Sequence, residues 1–272
     1  MPSAAAPPAV PRPYYTGGFS GTQRNAAQAF WDWYAVTNEA PAGWQQHTTE
    51  ALRTLVLEER PLPDVPESIT RSLYQHADTQ GVPLDVFARQ LRSAVREGEE
   101  LRFETYDELE RFMHDGVCQL AEALMHLLDM ANRFQLPHAH AFARALFLIS
   151  RLMRLPHDVQ RGRLYIPLNA LATYDIEEHR LFRGEVNEAL RRVLWRLTVR
   201  ARDELAQAEP LAADLPWRIR GTYKRYWIGG LDILARIERR DFDVWSNPIQ
   251  VGHIDRLRIR LQSLFSRSAL SG

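Results

Sequence analysis

Two side chains of opposite charge stand one helical turn apart, and a basic loop follows them. Arg154 lies four residues before Asp158, and Arg161, Arg163 and Tyr165 come soon after. A carboxylate can hold magnesium, and a guanidinium offers paired donors to phosphate oxygens. The spacing favours an ion pair between Arg154 and Asp158 over a metal clamp. The loop arginines would either contact an anion or brace the loop through carbonyl and carboxylate oxygens.

A second grouping has the chemistry of a transition-metal site. Glu122, His126 and Asp129 are spaced i, i+4 and i+7, which places them on one face of a helix. Histidine with carboxylates suits zinc or iron better than magnesium. This spacing is common by chance, so the metal face is the minor hypothesis. Cys118 has no Cys-x-x-Cys partner and is interpreted as a small core residue, and His140 as a capping or surface residue.

The elements that must position these side chains are helices. Helical periodicity runs through almost every long segment, and no alternating strand pattern occurs. Thr105 and Glu108 fit a capping box, Pro137 suits a first helical turn, and Pro156 should end the helix before it. The sequence predicts an all-α domain over residues 19–268 after a proline-rich flexible arm over residues 1–18. The predicted helices span residues 21–38, 45–58, 66–79, 84–97, 106–133, 138–155, 178–208, 215–240 and 252–267.

The composition excludes several classes of function. The 272 residues include 34 basic and 34 acidic side chains, so no overall field attracts nucleic acid. No apolar run approaches the roughly 20 residues that span a bilayer, although peripheral contact with a membrane is compatible with the sequence. The single Cys118 cannot form an internal disulfide, which favours a reducing environment. We therefore expect a cytoplasmic protein without a nucleic-acid partner.

Several separated motifs resemble squalene and phytoene synthases. The segment Arg161-Gly-Arg-Leu-Tyr-Ile-Pro167 looks like the loop after the second aspartate-rich helix of that family, and Tyr106–Phe112 resembles the start of a core helix. Leu215–Arg220, Ile233–Glu238 and Phe242–Trp245 follow the family's C-terminal pattern in the same order. The resemblance implies a single-domain, isoprenoid-synthase-type helical bundle around a central apolar pocket.

The two magnesium-binding motifs of that family are both altered here. Family members use aspartates to hold magnesium against a prenyl diphosphate, because the ion neutralises the leaving group. The first motif falls near Asn38 and Glu39, which keep ligand oxygens, and Ala42, which has none. In the second motif Arg154 replaces one aspartate, and Asp158 keeps the other. The implied metal ligands are Asn38, Glu39 and Asp158, with Mg²⁺ as cofactor if the protein is active and no cofactor otherwise.

The resemblance also assigns roles around the expected pocket. Asp158 and Tyr165 would be the catalytic residues. Phe147 makes one wall more apolar, and Gly230 indicates either close packing or extra room for a ligand. The substrate-binding side would comprise Arg154, Arg161, Arg163, Arg218, Arg220, Phe147 and Gly230.

Three hypotheses about function follow. The lost ligands favour a divergent, catalytically impaired member that binds a prenyl diphosphate or another lipid-like ligand. The family has a branch associated with respiratory-complex assembly, which would imply a protein partner. The first alternative is an active transferase acting on farnesyl or geranylgeranyl diphosphate, with an altered magnesium site made by Glu39 and Asp158. The second alternative is different chemistry in the same cavity, centred on the Glu122/His126/Asp129 face.

Overall fold

The computed structural model describes residues 18–38, 44, 47–97, 101–184 and 186–246. Within these ranges the chain forms α-helices and no β-strand; one isolated parallel bridge joins Leu101 to Arg163. The all-α prediction is therefore confirmed. The predicted helix over 252–267, Glu39 and most of the N-terminal arm lie outside the described residues. The helices are α1 (Gly21–Thr37), α2 (Thr49–Leu57), α3 (Glu67–Gln80), α4 (Leu84–Glu97), α5 (Tyr106–Asp115), α6 (Val117–His126), α7 (Leu136–Gln160), α8 (Leu168–Ala172), α9 (Glu178–Phe182), α10 (Glu188–Ala208), α11 (Leu211–Asp214) and α12 (Trp217–Arg239).

Polar side chains cap the starts of α1, α2, α5 and α10, because the first backbone N–H groups of a helix lack partners within it. At α1 the Ser20 hydroxyl accepts a hydrogen bond from the Gln23 N–H, and the Gln23 side chain accepts one from the Ser20 N–H. At α5 the Thr105 hydroxyl accepts from the Glu108 N–H at 3.3 Å. The Glu108 carboxylate accepts from the Glu104 N–H at 2.9 Å. The structure thus shows the predicted cap at Thr105, with the reciprocal bond displaced by one residue.

Two of the long predicted helices are each divided by a glycine. The segment predicted over 106–133 breaks at Gly116, where a Cβ atom would lie 2.8 Å from the Ser93 hydroxyl oxygen. Its second half ends at His126. The segment predicted over 178–208 breaks between α9 and α10, where Gly184 has a left-handed backbone with φ +67. A periodic pattern can continue across such a break, because each half still presents an apolar face to the core.

The helix after Pro137 is longer than the sequence predicts. Pro137 lies in its first turn as expected, but the prediction that Pro156 ends the helix is wrong. Proline removes one backbone hydrogen bond and does not by itself remove the turns that follow it. Beyond Pro156 the core side of α7 still buries Asp158 and Val159, and the helix continues to Gln160. Asp158 is therefore a helical residue.

Helix α7 is the central element, and it packs against α5, α6, α9, α10 and α12. Its contact with α10 includes a paired ion bridge: Nε and Nη2 of Arg144 each donate to the Glu204 carboxylate at 2.8 Å. Both side chains are largely buried, so the bridge is a charged contact inside an apolar bundle. A second polar contact between the two helices joins Nδ1 of His138 to the Gln207 carbonyl at 2.6 Å.

Side chains fill the space between α7 and α12. The ring of Phe142 lies 4.3 Å from that of Tyr223, centroid to centroid, and the Tyr223 hydroxyl donates to the Ala208 carbonyl at 2.7 Å. At this point of the bundle the two helices pack directly against each other. A cavity of about 270 Å³ lies elsewhere, beside α3, lined in part by Tyr74 and Asp78. None of the described helices combines the length and the apolar character that crossing a bilayer requires.

Candidate functional site

The Asp158 carboxylate lies near the C-terminal end of α7, beside the side chains of two arginines and a histidine. Its side chain is only 3% exposed. Oδ2 is 3.3 Å from Nη1 of Arg151, while Oδ1 is 3.5 Å from Nδ1 of His157 and 3.9 Å from Nε of Arg154. The ion pair predicted between Arg154 and Asp158 is confirmed, but the closer arginine is Arg151. Both carboxylate oxygens therefore face side-chain nitrogen, as burial of a charge requires.

Arg151 is held on its other sides by aromatic rings. The centre of its guanidinium is 4.2 Å from the centroid of the Tyr165 ring and 4.7 Å from that of Phe147. Phe112 packs against both of these rings, and Phe103 packs against Tyr165. A guanidinium against ring faces is attracted by their quadrupoles, and the attraction grows when water is excluded. Tyr165 and Phe147, predicted as catalytic and substrate-binding residues, thus lie in a packed cluster around Arg151.

Asn38, the described residue of the first magnesium motif, has a hydrogen-bond partner in α4. Asn38 follows the last residue of α1, and its Oδ1 accepts a hydrogen bond from Nε2 of Gln90 at 3.1 Å. Gln90 also binds Thr37 and accepts from the Trp33 indole N–H at 3.0 Å. No contact between Asn38 and Asp158 occurs among the described residues. The ligand oxygen of Asn38 is therefore part of a buried polar network between α1 and α4.

Among the described residues, the donors at the two motifs do not fit magnesium. Mg²⁺ requires oxygen ligands in near-octahedral geometry, and it is usually held by carboxylates and substrate phosphates. In the described residues the carboxylate at the expected site is Asp158, which arginines already neutralise, and the amide of Asn38 is already hydrogen-bonded. An ion at Asp158 would have to displace Arg151 from between the carboxylate and two rings. We derive no reaction step through magnesium at these residues.

The loop after α7 is fastened to the chain segment before α5. The Leu101 N–H donates to the Gly162 carbonyl at 3.2 Å, and the Leu164 N–H donates to the Leu101 carbonyl at 2.9 Å. Nη1 of Arg102 also donates to the Gly162 carbonyl, at 2.6 Å. In this loop Arg161 is exposed and Arg163 half-buried. Of the two predicted roles of the loop, the backbone contacts support bracing, and Arg102 contributes to it.

The C-terminal candidates do not converge on Asp158. Arg218 is exposed at the start of α12. Arg220 donates through Nη2 to the Ala213 carbonyl at 2.7 Å and the Leu215 carbonyl at 3.1 Å, which satisfies backbone groups around α11. At Gly230 an added Cβ would lie 3.0 Å from Cδ1 of Ile149, so the glycine serves close packing of α12 on α7. Room for a ligand, the other interpretation of Gly230, is absent at that position.

The sequence profile of the squalene/phytoene synthase family matches residues 24–262. This chain belongs to that family. It is 29% identical over 167 residues to phytoene synthase from Arthrospira platensis, covering 55% of this chain and 53% of that protein. It is 24% identical over 262 residues to the chloroplastic phytoene synthase of Daucus carota, covering 90% and 64%. The chain thus spans about half the length of some relatives and about two thirds of others.

Solved structures agree on the fold. A dehydrosqualene synthase in complex with ligand superposes with a TM-score of 0.76 at 14% identity, over 92% of this chain and 89% of that one. The squalene synthase HpnC from Alicyclobacillus acidocaldarius gives a TM-score of 0.72 at 15% identity, over 84% and 88%. At such identities the likeness shows the fold alone. The isoprenoid-synthase-type helical bundle expected from the sequence is confirmed.

The predicted metal site on a helix face formed by Glu122, His126 and Asp129 is wrong. Asp129 lies beyond the end of α6 and has a left-handed backbone with φ +55, so it does not continue the helix face of Glu122 and His126. Glu122 instead pairs with Arg89, at 3.0 Å from Nη2 to Oε1. The i, i+7 spacing would place Asp129 on the same face as Glu122 only if the helix continued past His126.

A different set of ligand atoms is close together. Among the described residues the metal-competent groups that meet are those of His114, Cys118 and His140, all within 4.8 Å of one another. Burial lowers the pKa of His140 to about 4 and raises the pKa of the Cys118 thiol to about 12. The prediction that Cys118 is a buried core residue is confirmed. His140 is half-buried and packs edge-on against His114, so it is more than a capping or surface residue.

Proposed function

We propose that this squalene/phytoene synthase family member binds a prenyl diphosphate or a similar anionic lipid and does not ionise it with magnesium. One observation carries the proposal: both oxygens of the buried Asp158 face the side chains of Arg151, Arg154 and His157. The surviving carboxylate of the second motif is thus the counter-ion of protein cations.

The energetics favour the ion pairs over a metal site. Taking one partner away from a buried ion pair costs about 3–5 kcal/mol, since it leaves an uncompensated charge. Binding of a magnesium ion at Asp158 would have to offset the free energy lost when Arg151 is left unpaired. The guanidinium of Arg151 also packs against the rings of Tyr165 and Phe147. The magnesium ion would in addition meet the positive charge of Arg154 a few ångströms away. A synthase site needs the reverse arrangement, with surplus carboxylate facing the ions.

The same arrangement supports attraction of an anion. Arg151 and Arg154 outnumber the single carboxylate, and Arg161 and Arg163 follow in the loop, with Arg161 exposed. Guanidinium groups form paired hydrogen bonds with phosphate oxygens without needing a metal ion. One structural neighbour is a dehydrosqualene synthase in complex with ligand, so the fold accommodates a small molecule in at least one relative.

The test is incubation of the full chain with labelled farnesyl and geranylgeranyl diphosphate, with and without magnesium. We expect saturable binding that magnesium does not strengthen, and no product. Arg154→Gln should weaken binding, because it removes one of the cations beside Asp158. Arg71→Gln is the matched control, since Arg71 pairs with Glu67 on the exposed face of α3.

The alternative of an active transferase that uses Glu39 and Asp158 has a distinct signature. It requires a magnesium-dependent product that disappears in Asp158→Ala while Arg71→Gln keeps it. That result would overturn the proposal. Absence of both binding and product with either diphosphate would also overturn it.

A further inference from the structure

Three side chains capable of binding a metal meet where α5, α6 and α7 come together. His114 is in the last turn of α5, Cys118 in the first turn of α6, and His140 in the second turn of α7. One ligand atom from each lies within 4.8 Å of the other two. The break at Gly116 separates His114 from Cys118, so their convergence does not follow from the spacing of one continuous helix.

An unsatisfied polar atom lies in this cluster. Nε2 of His140 is buried and has no hydrogen-bond partner among the described residues. The carboxylate of Glu122 is 3.8 Å from it, beyond hydrogen-bonding distance. A buried nitrogen left without a partner costs about 1–3 kcal/mol. A metal ion bound to the imidazole would remove that cost.

The type and spacing of the donors select the ion. One sulfur and two imidazole nitrogens are the ligands that zinc prefers, whereas magnesium and calcium prefer oxygen. Zinc bonds of about 2.3 Å to sulfur and 2.0 Å to nitrogen place tetrahedral ligands roughly 3.5 Å apart. The three atoms are within 4.8 Å of one another, so modest side-chain rotation closes the site.

We propose that His114, Cys118 and His140 bind a zinc ion. His114 is exposed, so the fourth coordination position faces solvent on its side and is open to water. The nearest cations have carboxylate partners: Arg144, which also hydrogen-bonds to the Cys118 sulfur, pairs with Glu204, and Arg89 pairs with Glu122. The ion would connect three helices, of which α6 and α7 already meet through a hydrogen bond from the Cys118 thiol to the His140 carbonyl. The site is separate from Asp158 and does not depend on the proposed function.

The test uses the full chain, stripped of metal by a chelator and titrated with Zn²⁺ in a calorimeter, and in parallel with Co²⁺ in a spectrophotometer. We expect one strong site and a thiolate-to-cobalt charge-transfer band in the near ultraviolet. Cys118→Ser should abolish the band, and His114→Gln should weaken Zn²⁺ binding by more than about 100-fold. Loss of an outer-shell partner alone already costs about 10–100-fold. His126→Gln, on the same helix as Cys118 and outside the cluster, is the matched control and should bind as the native chain does.

The inference is overturned if the cobalt complex lacks the charge-transfer band, or if His114→Gln binds Zn²⁺ as tightly as the native protein. His114 is exposed, so this variant tests the site without disturbing the core. Circular dichroism of the metal-free variants checks that the helices persist. If Cys118→Ser does not fold, the band of the native protein and the affinity of His114→Gln decide the question.

Discussion

Replacement of Asp158 by asparagine is expected to destabilise the fold. Asparagine keeps the shape of the side chain but removes the charge opposite Arg151 and Arg154, which are 19% and 14% exposed. Removal of one partner from a buried ion pair costs about 3–5 kcal/mol. Because Arg151 keeps its ring contacts and some exposure, we expect the lower end, about 3 kcal/mol. For a chain of this size that is a fall in Tm of roughly 6–12 °C.

The assay is thermal and urea unfolding, followed by circular dichroism, of purified Asp158→Asn beside two comparison variants. Glu67→Gln removes a charge from the exposed pair with Arg71 and should cost less than about 1 kcal/mol. The double variant Asp158→Asn/Arg151→Met should recover part of the loss, since the unpaired guanidinium is then absent. Recovery in the double variant separates a charge effect from a general packing defect.

Unchanged or increased stability in Asp158→Asn would refute the reasoning. A residue held for metal binding commonly costs stability, so its neutralisation often stabilises the metal-free protein. That outcome would mean that Asp158 is not primarily a counter-ion, and the proposed function would lose the observation that carries it. The sign of the change is therefore as informative as its size.

Three further changes test other parts of the structure by thermal or urea unfolding. Glu204→Gln should cost about 3–5 kcal/mol, because it leaves the largely buried Arg144 unpaired, and a loss below about 1 kcal/mol would contradict this account. Gly230→Val should destabilise by about 1–3 kcal/mol through overpacking, whereas Gly221→Ala on the same helix meets only the flexible end of Arg225 and should stabilise by up to about 1 kcal/mol. Burial raises the pKa of Tyr74 to about 12, so stability should fall from about pH 10 toward pH 12 as the unfolded state loses its proton first. Tyr74→Phe should lose the part of this decline that Tyr74 causes and keep the part due to Tyr106 and Cys118, whose pKa values burial also raises to about 12; an unchanged pH profile would show that Tyr74 does not contribute.

Most of the fold could be predicted because apolar periodicity is local information. The bounds of α1, α3, α4 and α12 agree with the predicted segments to within about two residues, as does the cap at Thr105. The errors fall where tertiary contact decides the backbone. Gly116 breaks a helix because Ser93 from α4 packs against it, and α7 continues past Pro156 because its core face stays buried.

The candidate site was harder to predict from the sequence, because its closest contacts do not join residues on adjacent turns of one helix. Arg154 was identified from its i, i+4 spacing to Asp158, whereas the closer Arg151 stands seven residues away on the same helix face. The i, i+7 spacing was a signal available in the sequence. The convergence of His140 with Cys118 across two helices left no such signal, and neither did the contact of Arg102 with Gly162.

Family membership and magnesium-dependent catalysis are separate questions for this chain, and the charges around Asp158 bear on the second. Magnesium-dependent ionisation needs carboxylates that are available to hold the ion against the diphosphate. Here one carboxylate faces two arginines and a histidine, and the surplus charge has the opposite sign. Restoring an aspartate at Arg154 alone would leave Arg151 against Asp158, between the rings of Tyr165 and Phe147. The difference from the family's motif therefore involves the packing of α7 as well as the motif residues, which is the structural basis of the proposed anion-binding role.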